Sequence, residues 1–482
     1  MTRPTAPDPY PSGVARTAPA PVGDSVLEAF AEAGIPTSVD PAERAEHGRD
    51  WWPLSLASTR VGLVPHWPGV VVLPRTTAEV RDAIRIATDH GLAITPQGGR
   101  SGVLGGAVAP TGAVALDLTG LNRIIGLDPV SGTVSVEAGV FGPDLERAVN
   151  DHGFTVGHFP QSFDLATVGG WLACRGAGQF SNRYGKIEDI VRALTVVLAS
   201  GDVVTLGGRG PRQAVGPDLV QLFVGSEGTL GVITEATLVV RPRPTYERRA
   251  AFRVSDFDAG MSLCRAILQR DARPAVLRLY DEVESKRNFD DAGCVLIVLD
   301  EGEPLMVDAA MAVVNDVARD AVRLEEDLVA RWLEHRNDVS ALAPLWAAGV
   351  VVDTIEVSGP WSTLSSMREA ALASLRSIES TLVASVHQSH AYVDGACLYF
   401  TFAGQPGGEP TGYYRAAWEA ATSAVLASGG SLSHHHGVGR SRARFVRHAL
   451  GDGFDVLLAL KSILDPRGTM NPGVLNLGGE PW

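Results

Sequence analysis

A chain of 482 residues is too long for one ordinary hydrophobic core, so two or three domains are expected. Apolar content of 45% beside 20% charged residues describes a globular protein, and no uninterrupted apolar run approaches the ~20 residues of a membrane span. A net charge of −14 argues against nucleic acid or an anionic membrane surface as partner, and the 4 cysteines, none in CxxC spacing, read as reduced thiols in a cytoplasmic protein.

Residues 1–23 are proline-rich without the apolar stretch of a signal peptide and are expected to form a disordered tail. In the lead-in 24–67, Asp24 is placed to cap a short amphipathic helix closing at Gly34. Trp51 and Trp52 are expected there to cover a groove or a domain junction. From Gly69 the pattern sharpens into a buried strand, a helix capped by Thr76 and Glu79, and a second strand ending in PQGGRSG. Several N–H groups of that turn can face one concavity, which suits a phosphate. The turn follows the second strand and no helix follows it, so it is not a Rossmann fingerprint. Two alternating strands, a helix (PDLERAVNDHG) and a long small-residue segment, 160–191, come next; such a segment lines something flat. A hairpin around Ser200-Gly201-Asp202 leads to GSEGTLGVIT. Beyond Pro242 the β-α-β-type alternation marks a second, α+β domain that ends in SLSHHHGVG and NPG.

Taken in order, PQGGRSG, GHFPQSFDLATVGGW, GSEGTLGVIT, SHHHGVG and NPG resemble FAD-dependent enzymes of the vanillyl-alcohol oxidase type. Within these they are most similar to the alkyldihydroxyacetonephosphate synthase family and its bacterial relatives. The resemblance implies an α+β, two-domain PCMH-type FAD-binding fold with a ferredoxin-like α+β cap. The divisions expected are 68–243 for the FAD-binding domain, 244–430 for the cap and 431–482 for a histidine loop and helices closing over the flavin. It further implies that FAD is held around its pyrophosphate by Pro96, Gln97, Gly98, Gly99, Arg100, Ser101 and Gly102. Gln161, Ser162, Phe163, Asp164, Leu165, Ala166 and Thr167 would contact phosphates and ribityl chain, and Cys174, Arg175, Gly176 and Ala177 would run beside the ring. Glu227, Gly228, Thr229, Leu230, Gly231, Val232 and Ile233 would hold the ring or the adenine side. The flavin is expected to be non-covalent, because Arg100 stands where some relatives tether FAD through histidine.

By the same resemblance Tyr399, in DGACLYFTF, is the acid/base tyrosine, and His434, His435 and His436 form an active-site loop with His435 nearest the substrate. Arg278 supplies a cation near the flavin; read from the residues alone, it can equally pair with Asp281 or Glu282. No catalytic metal is expected: His435 stands where hydroxy-acid dehydrogenases carry a glutamate ligand, and Leu398 where they carry a histidine. The family's phosphate-binding arginine falls by ungapped counting on Leu342, and the nearest arginine is Arg336. The implied activity is flavin-adduct exchange of an acyl for an alkoxy group on a ketone substrate. The alternative is hydride transfer from a hydroxy acid or alcohol. The partner expected is a small molecule, a lipid-like one among the candidates, with a homodimer left open.

Overall fold

Among the described residues, three larger sheets and one two-stranded sheet, Phe154–Thr155 with Arg241–Pro242, carry the chain. The computed structural model describes residues 18–60, 63–208, 210–338, 343–408 and 410–479; Leu342 and most of the N-terminal tail lie outside them. The small first sheet has the order Thr37–Ser38, Val70–Val72, Val114–Asp117, Ile94–Gln97, and its last three strands are parallel. The helix Thr77–Asp89 makes the crossover. Thr76 Oγ1 accepts the Glu79 N–H at 3.1 Å, while Glu79 reaches back to the Arg75 N–H. Its buried Val80, Ala83, Ile84 and Ala87 pack on the sheet.

The tail is shorter than expected. The buried Arg44 guanidinium collects the carbonyls of Pro19, Ala20 and Pro68, and the Val22 N–H donates to Gly69 O, so 19–22 belong to the fold. Asp24 is the first residue of the helix Asp24–Glu32, and Gly23 is its N-cap.

The second sheet is antiparallel, in the order Ile124–Asp128, Thr133–Glu137, Val232–Val239, Val191–Val197, Val203–Gly207. The expected hairpin around Gly201 forms its last two strands. The long small-residue segment is more regular than its sequence suggests, because Thr167 Oγ1 caps a short helix, Val168–Cys174, by accepting the Gly170 N–H.

The cap is a seven-stranded antiparallel sheet: Val322–Leu324, Glu247–Val254, Cys294–Glu301, Val276–Tyr280, Thr381–Ala391, Gly395–Gly404, Val351–Pro360. Alternation divides its two faces. Leu277, Leu279, Val386, Leu398, Phe400, Ile355 and Val357 enter a core closed by Phe257–Gln269, Pro304–Val317, Leu364–Arg376 and Pro410–Ala427. The other face carries Arg278, Tyr280, His387, Tyr399 and Glu356 toward the first two sheets. Trp52 joins this cap core, its Nε1–H donating to Tyr414 Oη at 3.1 Å, as expected of a domain junction.

Candidate active site

One cavity of about 1170 Å3 runs between the glycine-bearing loops and the polar face of the cap sheet. It is lined by Pro96, Gln97, Gly98, Gly99, Arg100, Ser101 and Gly102, by Gln161, Ser162, Leu165, Ala166 and Thr167, by Cys174, Gly176 and Ala177, and by Glu227, Gly228, Gly231, Val232 and Ile233. Opposite stand Arg278, Tyr280, His387, His390, Tyr399, His435 and His436. Three distant loops and the cap thus enclose a single volume.

The glycines are there because the loops touch. A Cβ on Gly99 would lie 1.7 Å from Leu165 O, and one on Gly98 would lie 2.2 Å from Thr167 Oγ1. The N–H groups of Gly98, Gly99, Ser101 and Gly102 donate to no acceptor among the described residues. Gln97 Oε1 and Trp171 Nε1, both on the cavity wall, are buried without a partner among the described residues. Unmade donors beside a long, mostly apolar slot fit a flavin bearing a pyrophosphate.

Arg100 adopts the left-handed conformation (φ 52°) and turns its guanidinium to His47 Nε2, at 3.1 Å, and Asp117, at 3.8 Å. Burial works against ionisation of Asp117, but His47 and Arg100 outweigh it and hold the carboxyl down at about 2.

Six expected residues are not on the cavity wall. Phe163 stacks on Trp171 (centroids 6.3 Å), and its neighbour Asp164 lies off the wall with it. Arg175, at φ 55°, ends the short helix and faces Glu188 at 3.4 Å. Thr229 and Leu230 are turned into the interior, where Lys461 Nζ donates to Thr229 O. His434 sits behind the wall, 2.6 Å from Tyr392 Oη and stacked on His390 at 4.8 Å. Glu227 lines the cavity, but its carboxylate is occupied: it accepts the Val438 and Gly439 N–H groups at 2.6 and 2.8 Å.

Across the cap sheet, Tyr280, His387, Tyr399 and Glu356 are successive cross-strand partners in one row. The rings of the first three stack at 5.2 and 4.8 Å. A bulge between Gln388 and His390 brings His390 opposite Cys397, onto the face that carries Tyr399. Arg278 pairs with neither Asp281 nor Glu282. Its Nε–H donates to Tyr280 Oη at 3.0 Å, and its Nη2 lies 2.9 Å from His387 Nε2, while His387 Nδ1 lies 2.8 Å from Glu284 Oε2. Asp281 instead caps the helix Glu282–Phe289.

Tyr399 Oη accepts from Thr354 Oγ1 at 3.1 Å and lies 3.4 Å from His436 Nε2. Burial pushes its phenol above the ordinary value and pushes His435 and His436 below theirs, so the site holds a protonated phenol beside neutral imidazoles.

The histidine loop wraps a carboxylate with its backbone. Glu356 Oε1 accepts the N–H groups of His434, His435 and His436 at 3.2, 3.0 and 2.8 Å, and the Ser433 hydroxyl at 2.6 Å. Arg442, fully buried, donates to both carboxylate oxygens. The loop is an anion nest filled by the protein's own glutamate. One nitrogen from each of His390, His434 and His435 lies within 4.8 Å of the others, so three imidazoles do converge, with His390 in place of His436.

The sequence alone did not single out Thr354, Glu356, His387, Glu284 or Arg442 as site residues. A signal was present: Thr354 and Glu356 occupy alternate positions of one strand, and an acidic residue on an apolar strand needs a partner.

With this geometry in place, residues 68–207 match the family described as FAD binding domain, and residues 243–475 match FAD linked oxidases, C-terminal domain. The chain belongs to the FAD-linked oxidase family. Its cofactor is FAD, and it is an enzyme. This FAD-linked oxidase is 31% identical to the uncharacterized FAD-linked oxidoreductase YgcU of Escherichia coli O157:H7, over 85% of this chain and 89% of the relative. It is 30% identical to the alkyldihydroxyacetonephosphate synthase of Caenorhabditis elegans, over 95% of this chain and 84% of the relative. A solved alkyldihydroxyacetonephosphate synthase structure superposes with a TM-score of 0.80 at 26% identity, covering 95% of this chain and 87% of the other. The PCMH-type two-domain fold is therefore the fold of this family member. Among the described residues no helix is long and apolar enough to cross a membrane.

Proposed function

We propose that this FAD-linked oxidase exchanges an acyl for an alkoxy group on a small ketone substrate, as the names of its synthase relatives suggest. One observation carries the reading: Tyr399 Oη, held by Thr354 at 3.1 Å and facing His436 at 3.4 Å, lines the cavity opposite the flavin-type loops. Bound FAD supplies the electrophilic, redox-capable centre. The protein's part is to move protons. The protonated Tyr399 donates to a departing oxygen or recovers a proton from an entering alcohol, and neutral His436 and His435 accept or return it. Arg278 holds a positive charge at the cavity wall, suited to an anionic ring.

The proposed division of labour is 68–243 for FAD, 244–430 for the substrate wall and 431–482 for the closing loop, in a cytoplasmic enzyme. Non-covalent FAD is part of the proposal. Arg100 offers no nucleophile, and its guanidinium is turned to His47 and Asp117.

A second reading, oxidation of a hydroxy acid or alcohol by hydride transfer, is favoured by the oxidoreductase name of one relative and by the same phenol–imidazole pair, which can also take a hydroxyl proton. The test is direct. FAD-loaded protein is mixed anaerobically with hydroxy acids and alcohols, and separately with an acyl-ketone-phosphate and a long-chain alcohol. Ether product without bleaching of the flavin supports the first reading, and bleaching supports the second. A purified protein that neither carries nor takes up FAD overturns both.

A further inference from the structure

Two guanidinium groups share the ring of Trp332. Cζ of Arg278 lies 5.3 Å from its centroid and Cζ of Arg336 lies 5.9 Å from it, and both arginines line the cavity. Their charges are met differently. Arg278 reaches Glu284 through His387. Arg336, among the described residues, has no carboxylate within the 4.0 Å of an ion pair.

Arg336 is nevertheless held in place. Its Nη1 donates to Gln179 Oε1 at 3.1 Å, and Gln179 Nε2 donates back to the Arg336 carbonyl at 3.1 Å. The rings of Phe180 and Phe159 lie 4.8 and 5.5 Å from the guanidinium carbon. A half-buried cation among aromatic rings, with a second cation behind the same indole and no carboxylate at ion-pair distance, is stabilised when an anion meets it. Burial, with Arg278 adding to it, pushes the guanidinium down to about 10, although the carboxylates of Glu301 and Asp164, beyond ion-pair distance, pull the other way.

We propose that Arg336 is the head-group anchor of this enzyme and binds an oxyanion, carboxylate or phosphate, carried by the substrate. The inference rests on the flavoenzyme reading above and deepens it. The residue is not the one at the position where the family resemblance expects a cation, Leu342. It comes from the end of the helix Asp327–His335, and Gln179, from the segment after the short flavin-side helix, fixes its direction. A bidentate fork presented beside an aromatic wall selects planar or tetrahedral oxyanions over neutral alcohols.

FAD-loaded protein is titrated with inorganic phosphate and, separately, with acetate, and the visible flavin spectrum is followed. The expected result is a saturable perturbation by at least one anion. Arg336→Gln should weaken it roughly tenfold or more, with FAD content unchanged, and Arg336→Lys should fall between. The more effective anion identifies the head group. As an arm independent of any variant's folding, wild-type protein is treated with phenylglyoxal and mapped by mass spectrometry, and the effective anion should protect Arg336. The proposal is overturned if neither anion perturbs the flavin and neither protects Arg336, or if Arg336→Gln binds the anion as wild type does. Absence of FAD would instead overturn the functional reading, and the protection arm still reports on Arg336 in that case.

Discussion

Glu356 lies directly opposite Tyr399 in the cap sheet, so the strand beside the phenol also anchors the histidine loop. Its carboxylate and the Arg442 guanidinium are both fully shielded from solvent. Against the burial penalty, Arg442 holds the carboxyl well below the usual range. Glu356→Gln leaves Arg442 charged and unmatched and turns one of the two acceptor oxygens, which together serve Arg442 and three N–H groups, into an NH2 donor. A loss of about 3–5 kcal/mol is expected from a buried pair broken on one side. Urea denaturation checks it, and unchanged stability together with an uncleaved 433–439 loop in limited proteolysis contradicts it.

Tyr399→Phe deletes one hydroxyl whose partners are Thr354 and His436. Turnover should fall by roughly 10²–10⁴, the usual worth of general acid–base catalysis. The flavin spectrum and the melting temperature should stay near wild type, since the ring stack on His387 remains. Retained turnover removes Tyr399 from the chemistry.

The acid limb of the rate profile follows from His436. Burial lowers this imidazole from its ordinary 6.5 despite the opposing charge of Glu356, so its loss of proton-accepting capacity is centred below that value. The acid limb of turnover should have its midpoint below pH 6.5. A decline already complete above that value would show that another group governs the limb.

Gly99→Ala tests the loop contact. The added Cβ, 1.7 Å from Leu165 O, forces two cavity-lining segments apart. The variant should purify with much less FAD than wild type, read from the absorbance ratio of flavin to protein, and full flavin occupancy would refute this.

Glu284 gives a stability prediction with a definite sign. Burial opposes its ionisation, but His387 and Arg287 outweigh it and bring the carboxyl from 4.5 down to about 2. A carboxylate whose value is lower folded than unfolded stabilises fully above 4.5, and that contribution drains away as pH falls toward 2. His387, buried beside it, is itself pushed below its ordinary value, so the two share one coupled titration. Glu284→Gln should destabilise the protein at pH 7, with the deficit shrinking through the acid range in denaturant titrations. A pH-independent deficit would assign it to packing alone.

Of the residues expected to meet FAD, most line the cavity, because the glycine motifs encode a short-range requirement: backbone must approach backbone, and only glycine permits it at Gly98 and Gly99. The exceptions fail for local reasons of the same scale. Thr229 and Leu230 alternate away from the wall, and Arg175 is spent on ending a helix. The helix of Thr76 and Glu79, the hairpin at Gly201 and the second domain beyond Pro242 were likewise written in caps, turns and periodicity.

What no motif announced were the long-range partnerships. Arg278 sits three residues from Asp281 yet finds His387, because strand pairing outranks proximity in sequence. Three adjacent histidines read as side chains, yet their backbone N–H groups converge on Glu356. Arg336 lies apart from every motif and still reaches the cavity, held by Gln179, 157 residues earlier in the chain. Local patterns name the cofactor loops because glycine, cap and turn requirements act within a few residues. The charge environment of the substrate wall depends on which strands become neighbours, and only the folded cap sheet decides that.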